Sequence, residues 1–243
     1  MSMERIKVSD SNSGEDGITY LLKSLAPLAS DLGGQIERLK PTQRTGFKVL
    51  CKSDRADFFR SEIEDKIADV LAIKYKYEFF KRKIRPVGLS KYETELLLTA
   101  LISADIEDDK RYILRRLRGQ YEYVLDGIFN FKLKPLKNKW KEVVSYIPIV
   151  FSGKQLEEFV AYLVSEKRGK KVLVQNGKVY DLYYNLLKRS SLLDGKGDVV
   201  REVLLSCGAG VEVLGQISKE EEKYLRLFFG CKVSFLKGSL KNG

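Results

Sequence analysis

An α+β fold is predicted for this 243-residue chain, mostly helical, with short strands in an N-terminal unit and a small mixed sheet in a C-terminal α/β unit. Three observations carry that expectation. Long stretches such as 53–84 repeat their apolar residues at helical spacing. Short runs at 4–8, 35–39 and 46–51 have the pattern of strands. Beyond residue 151, helices alternate with short apolar runs, the order that builds a partly parallel sheet. The expected division is 1–87 for strands and a long helix, 88–150 for a helical middle, and 151–243 for the α/β unit.

Glu4 to Val8 alternates as a strand does, and polar, Gly-containing Ser9 to Gly17 suits a loop. Ile18 to Leu32 has helical spacing, with Pro27 expected to kink or divide it, and Gly33-Gly34 closes it. Two strands then flank the turn-like Lys40 to Arg44. Ser53 opens a long helix with Phe58, Phe59, Ile63, Ile67, Val70, Leu71, Lys74 and Tyr75 in register, reaching about Ile84 before Pro86-Val87-Gly88 breaks it. Ser90 and Glu93 have capping-box spacing. The helical pattern that follows breaks at Asp105–Asp109 and resumes through Leu125. Two helices with a tight junction, or one long helix, both fit.

Tyr123 to Leu133 is expected to be a short non-helical connector bracketed by Gly127 and Pro135. Phe129 and Phe131 should bury beside Trp140, which lies on the amphipathic helix that Pro135 opens. Phe151 to Leu156 supplies a further capping box and a hydrophobic staple. Asn176-Gly177 between two short apolar runs is a hairpin signal. Asp181 to Leu193 has helical spacing, and Asp194 to Gly197 is loop-like. Asp198 to Cys207 is an apolar helix, Gly210 to Leu214 a strand, Ser218 to Phe228 a helix with its own capping box, and Lys232 to Leu236 a closing strand.

Hydrophobic residues make up 44 % of the chain, so a sizeable core is expected rather than a disordered chain. No apolar run approaches the roughly 20 residues a membrane span requires. Nor does Glu4, Arg5 and Lys7 without an apolar run behind them suit a cleavable leader. Cys51, Cys207 and Cys231 are too widely spaced for a disulfide framework or a zinc motif, which points to a reducing, cytoplasmic compartment and to cysteines in the core. Histidine is absent, which excludes Ser-His and Cys-His nucleophile pairs and every histidine-containing metal site.

A net charge of +11 favours polyanionic partners. The basic residues fall in three groups: Lys74 to Arg85, Arg111 to Arg118 and Lys132 to Lys141. Aromatics interleave the first, the arrangement that lets cations hold phosphates while rings stack on bases. Lys81, Arg82, Lys83, Arg115 and Arg116 are the residues expected to meet nucleic acid, weakly and without sequence preference. The same aromatics fit equally well as the core face of a helix. Asp105, Glu107, Asp108 and Asp109 form the one carboxylate cluster suited to a hard cation, which reads either as a solvated ion-pair face or as a hydrolase's metal site. No catalytic, cofactor-binding or metal-ligating residue is assigned, and no cofactor is expected.

The segment Asp126-Gly127-Ile128-Phe129-Asn130-Phe131-Lys132-Leu133, followed by a Trp-bearing helix and then Leu156-Glu157-Glu158-Phe159, resembles the YtxC-like sporulation protein family. The resemblance spans about residues 90–238 and includes Phe228-Phe229-Gly230-Cys231-Lys232-Val233 near the end. The chain departs from the family at Lys132, where Arg is expected, and after Cys207, where it is glycine-rich. The resemblance implies a cytoplasmic protein of spore-forming bacteria and supplies no functional residues to carry over. The expected function is therefore a non-enzymatic accessory protein associated with sporulation, acting through a protein partner or nucleic acid.

Overall fold

The computed structural model describes residues 3–11, 15–40, 44–166, 171–194, 196–206 and 209–236. In chain order the elements begin with β1 (Met3–Ser11), α1 (Glu15–Leu32), β2 (Gln35–Arg38), β3 (Arg44–Lys52), α2 (Ala56–Asp69) and α3 (Lys76–Lys83). There follow α4 (Lys91–Ala104), α5 (Ile106–Leu117), β4 (Glu122–Val124), α6 (Leu125–Gly127), α7 (Lys134–Ser145) and α8 (Gly153–Glu166). The chain continues with β5 (Lys171–Gln175), β6 (Lys178–Tyr180), α9 (Ser191–Asp194), α10 (Val199–Leu205), β7 (Gly210–Leu214), α11 (Lys219–Phe229) and β8 (Val233–Leu236). The fold is α+β, with two mixed four-stranded sheets among the described residues.

Two compact units account for these elements. Unit one is Met1–Glu78 with Ile106–Val143, and unit two is Phe79–Asp105 with Val144–Gly243. The boundaries expected after residues 87 and 150 both fall inside unit two.

In unit one the strand order is β2-β3-β1-β4, with β1 antiparallel to β3 and parallel to β4. The period-two pattern explains the buried face: Ile6 sits opposite Val49 and Val8 opposite Phe47, and all four are buried. Helix α1 packs against β1 and β3, and α2 against β3 and α1. They bury Leu21, Leu25 and Ala29, and Phe59, Ile63 and Ile67, each set at i, i+4 and i+8. Each such large apolar side chain stabilises the fold by about 1.5–3 kcal/mol. Pro27 lies inside α1. Between α2 and α3 the helix widens to a π-type turn over Val70–Tyr75, and a second follows α6 over Ile128–Lys132. A π turn holds an extra residue, so it rotates the side chains that follow onto a different face.

In unit two the order is β6-β5-β7-β8, parallel between β5, β7 and β8, with β6 the antiparallel edge. Asn176 and Gly177 have φ of 50° and 71°, the pair of left-handed residues a two-residue hairpin turn needs. The Ser90/Glu93 and Ser218/Glu221 capping boxes form. At Ser152/Gln155 the side chain of Ser152 accepts from Gln155 N at 3.3 Å, while Gln155 Oε1 accepts from Ser152 N at 2.8 Å. Helix α4 packs against α8 and α10. Leu96 to Ser103 of α4, and all seven residues of α10, are buried.

Several expectations require correction. Tyr121 to Leu125 does not continue a helix, because Glu122–Val124 pairs in parallel with β1. The connector before Pro135 is helical, through α6 and the π turn. Phe129 and Trp140 stack with centroids 6.1 Å apart, but Phe131 is 76 % exposed and shares no core with them. The π turn carries Phe131 outward while it holds Phe129 inward. Asp181 to Leu193 is not one helix: Tyr180 bridges to Leu186 in a second hairpin, and only Ser191–Asp194 is helical. Cys51 is buried and Cys231 exposed, while Cys207 lies outside the described residues, as does most of the expected turn at 40–44. Among the described residues no helix is long and apolar enough to cross a membrane.

Candidate functional site

Unit one brings its two π turns together: the rings of Tyr75, last in the first turn, and Phe129, in the second, lie 4.8 Å apart. On one side of Phe129, Trp140 of α7 is fully buried, and its indole Nε1 donates to Asp109 Oδ2 at 2.9 Å. The same Asp109 oxygen lies 2.7 Å from the buried Lys76 Nζ, and Lys139 reaches Oδ1 at 3.4 Å from the solvent side. A parallel arrangement pairs Lys110 with Asp69 at 2.7 Å and with Asp65 at 3.2 Å.

Beyond Tyr75 the chain places two carboxylates at the carboxyl ends of the parallel strands β1 and β4. Asp10 is buried, and its Oδ1 accepts from the Tyr75 hydroxyl at 2.6 Å and from Ser11 N at 2.8 Å. Its Oδ2 has no hydrogen-bond partner among the described residues. Asp126, which follows β4 by two residues, pairs with Arg44 of β3. Burial pushes the Asp10 carboxyl up from 3.8, against the pull of its two hydrogen bonds. Burial likewise pushes the Tyr75 phenol up, and the adjacent Asp10 adds to it.

The sign of the Asp10 effect is testable. A carboxyl whose folded pKa is raised binds its proton more tightly when folded, so ionising it opposes folding as pH rises above the unfolded value of 3.8. Asp10→Asn keeps an oxygen for Tyr75 and Ser11 and removes that ionisation. Its stability relative to wild type should therefore increase between pH 3.8 and pH 7, and hold constant below 3.8, in urea titrations at stepped pH. A difference independent of pH would remove Asp10 as the titrating group.

On its outer side, Phe129 is covered by Lys137, whose Nζ lies 4.8 Å above the ring and donates to the Asn130 carbonyl at 3.2 Å. Lys134, Lys137 and Lys141 occupy i, i+3 and i+7 of α7, one face of the helix. Partial burial, and then the charges of Lys134 and Lys141, push the Lys137 ammonium down from its ordinary range. The first turn of α7 has no acidic residue, so the positive end of the helix adds to these charges. Exposed Lys132 and Phe131 stand just before that end. The arrangement offers a row of cations, a helix N-terminus and one outward aromatic ring to an anionic partner.

Lys81, Arg82 and Lys83 are exposed on the last turn of α3, in unit two, and Arg115 and Arg116 are exposed on the last turn of α5, in unit one. Arg116 covers Tyr112, its guanidinium 5.1 Å from the ring centre, and Lys83 lies 5.5 Å from the Phe79 ring. The acidic run disperses. Asp105 caps the end of α4 in unit two, Asp108 pairs with Arg111, and Asp109 turns into the core. Among the described residues, no three acidic or cysteine side chains gather as a metal site would. Asp10, Arg44, Tyr75 and Asp126 were missed in the sequence, where each is a single polar residue near a strand or helix end.

In comparison with known proteins, no family model, no curated protein and no solved structure matches the chain. The class defined here is an α+β protein with a lysine-lined helix face above a buried ionic network.

Proposed function

We propose that the protein is a cytoplasmic, non-enzymatic accessory protein of sporulation that binds nucleic acid, weakly and without sequence preference, through α7. One observation supports the binding: Lys134, Lys137 and Lys141 align on one face of α7, and the ring of Phe131 is exposed just before its first turn. A row of like charges gains from a polyanion, which replaces repulsion by phosphate contacts. Phe131 adds a stacking surface of the kind single strands use. The link to sporulation rests on the residue pattern at 126–133, 156–159 and 228–233.

Fluorescence anisotropy with a labelled single-stranded oligonucleotide across a salt series tests the binding. Four or five phosphate contacts give a log–log salt slope of about −3 to −3.5 on single strands. Changing Lys134, Lys137 and Lys141 to Glu should abolish binding, and Phe131→Ala should weaken it by about tenfold, within the range of one base stack. Loss of binding instead on changing Lys81, Arg82 and Lys83 to Glu would move the interface to α3. No binding at low salt removes nucleic acid as a partner. Normal spore yield in a deletion strain counts against the sporulation link.

A further inference from the structure

The second hairpin of unit two ends in three consecutive exposed side chains: Leu182 at 54 %, Tyr183 at 74 % and Tyr184 at 72 %. Its arms are β6 and residues 185–187, tied by the Tyr180–Leu186 bridge and by Leu187 N donating to Val179 O at 2.8 Å. Asp181 N donates to Asn185 O and Tyr184 N donates to Asp181 O, both at 3.1 Å, which closes a three-residue loop. In such a loop the last residue adopts the left-handed conformation and is ordinarily Gly. Here that residue is Tyr184, at φ 60°. A bulky side chain therefore stands exposed at a position where it gains nothing from the fold and strains the backbone.

The carboxylate of Asp181 is turned onto the loop's own amides. Asp181 Oδ1 accepts from Tyr183 N at 2.8 Å and from Asn185 N at 2.9 Å, and Oδ2 accepts from Asn185 Nδ2 at 2.9 Å. Continuing the register of the arms sets Lys178 opposite Lys188, both exposed, three residues behind the closing pair. That spacing is about 10 Å along a strand.

We propose that this hairpin is a membrane-docking tip for an anionic lipid surface. Leu182 inserts at the headgroup–acyl boundary, and Tyr183 and Tyr184 lie at the interface with their hydroxyls toward water, the level that tyrosine prefers. Interfacial elements bury their apolar side about 5–10 Å deep, which leaves Lys178 and Lys188 level with the lipid phosphates. Leu182 favours lipid over nucleic-acid bases, because an aliphatic side chain has no face to stack. The docking is independent of α7 and uses no spanning segment.

The test is co-sedimentation of the full chain with vesicles of phosphatidylcholine, with and without 30 % phosphatidylserine. Binding is expected only with the anionic lipid. Tyr184→Gly suits the left-handed backbone better than the native residue, and combined with Tyr183→Ser it should lower vesicle affinity at least tenfold with the urea midpoint unchanged. Changing Lys178 and Lys188 to Ala should lower it about 25-fold, near fivefold per lysine. The α7 triple variant should bind vesicles as wild type does, which separates this proposal from the nucleic-acid reading. Absence of vesicle binding, or binding that the tip changes leave untouched, overturns the proposal. So does a tip dependence seen only with an oligonucleotide, or only in self-association of the chain.

Discussion

Asp109→Ala is expected to destabilise the protein by about 3–5 kcal/mol, the scale for removing one partner of a buried ion pair. Lys76 and Asp109 are both fully buried and 2.7 Å apart, so the variant keeps an ammonium in the core without the carboxylate that offsets its desolvation. The indole Nε1 of Trp140 loses its 2.9 Å acceptor in the same step. Lys76→Met should cost less, because Asp109 retains Trp140 and the half-exposed Lys139 at 3.4 Å. The double change Lys76→Met with Asp109→Leu should recover most of the loss, since apolar replacement of a whole buried pair is often neutral. What remains is the lost indole bond, about 1–3 kcal/mol. Urea midpoints at constant m-value read all three. An Asp109→Ala loss under about 1 kcal/mol would mean that water reaches Lys76.

The strongly periodic parts of the fold were legible. Capping pairs at Ser90, Ser152 and Ser218 are local chemistry, and Asn176-Gly177 admits few conformations besides its turn. Failures came where distant contacts decide. Tyr121 has helical spacing with Val124 and Leu125, yet β1 offers Glu122 to Val124 an open strand edge, and pairing with Lys7 to Ser9 overrides the local pattern. Asp181 to Leu193 carries leucines and tyrosines at helical spacing, but Asp181 accepts three hydrogen bonds from the loop itself and closes a hairpin instead. A π turn has no sequence signature, so the rotation that turns Phe129 toward Trp140 and exposes Phe131 could not be foreseen.

The candidate site was less legible for a related reason. The lysines of α7 were visible as a charge run, but their crowding around Lys137 depends on the helix that aligns them. Asp109 read as one of four exposed carboxylates. Its partners Lys76 and Trp140 are 33 and 31 residues away, on two other helices, and only the tertiary fold brings the three together. Asp10 is a further case. An acid at the end of an apolar strand reads as the start of a loop, whereas its burial follows from Tyr75, 65 residues away.

The second large effect is expected in unit two, at Arg201. Helix α10 is buried along its whole length, and Arg201 is 3 % exposed. Its guanidinium forms a fork on Asp194, at 3.0 and 3.2 Å, and lies 3.8 Å from Glu95 and 3.7 Å from Asp198. Three carboxylates therefore share one cation. Arg201→Ala leaves them repelling one another and opens space inside the helix packing. The carboxylates retain some water, with side-chain exposures of 28 %, 21 % and 16 %, so the loss should fall at about 2–4 kcal/mol, near the low end for a broken buried pair. Arg201→Lys keeps the charge but not the fork and should cost about half as much. Asp194→Ala should cost only about 1 kcal/mol, because Arg201 keeps Glu95 and Asp198. Chemical denaturation of the three variants gives the order. Equal losses for Arg201→Ala and Asp194→Ala would reduce the cluster to a single ion pair, with Glu95 and Asp198 contributing nothing measurable.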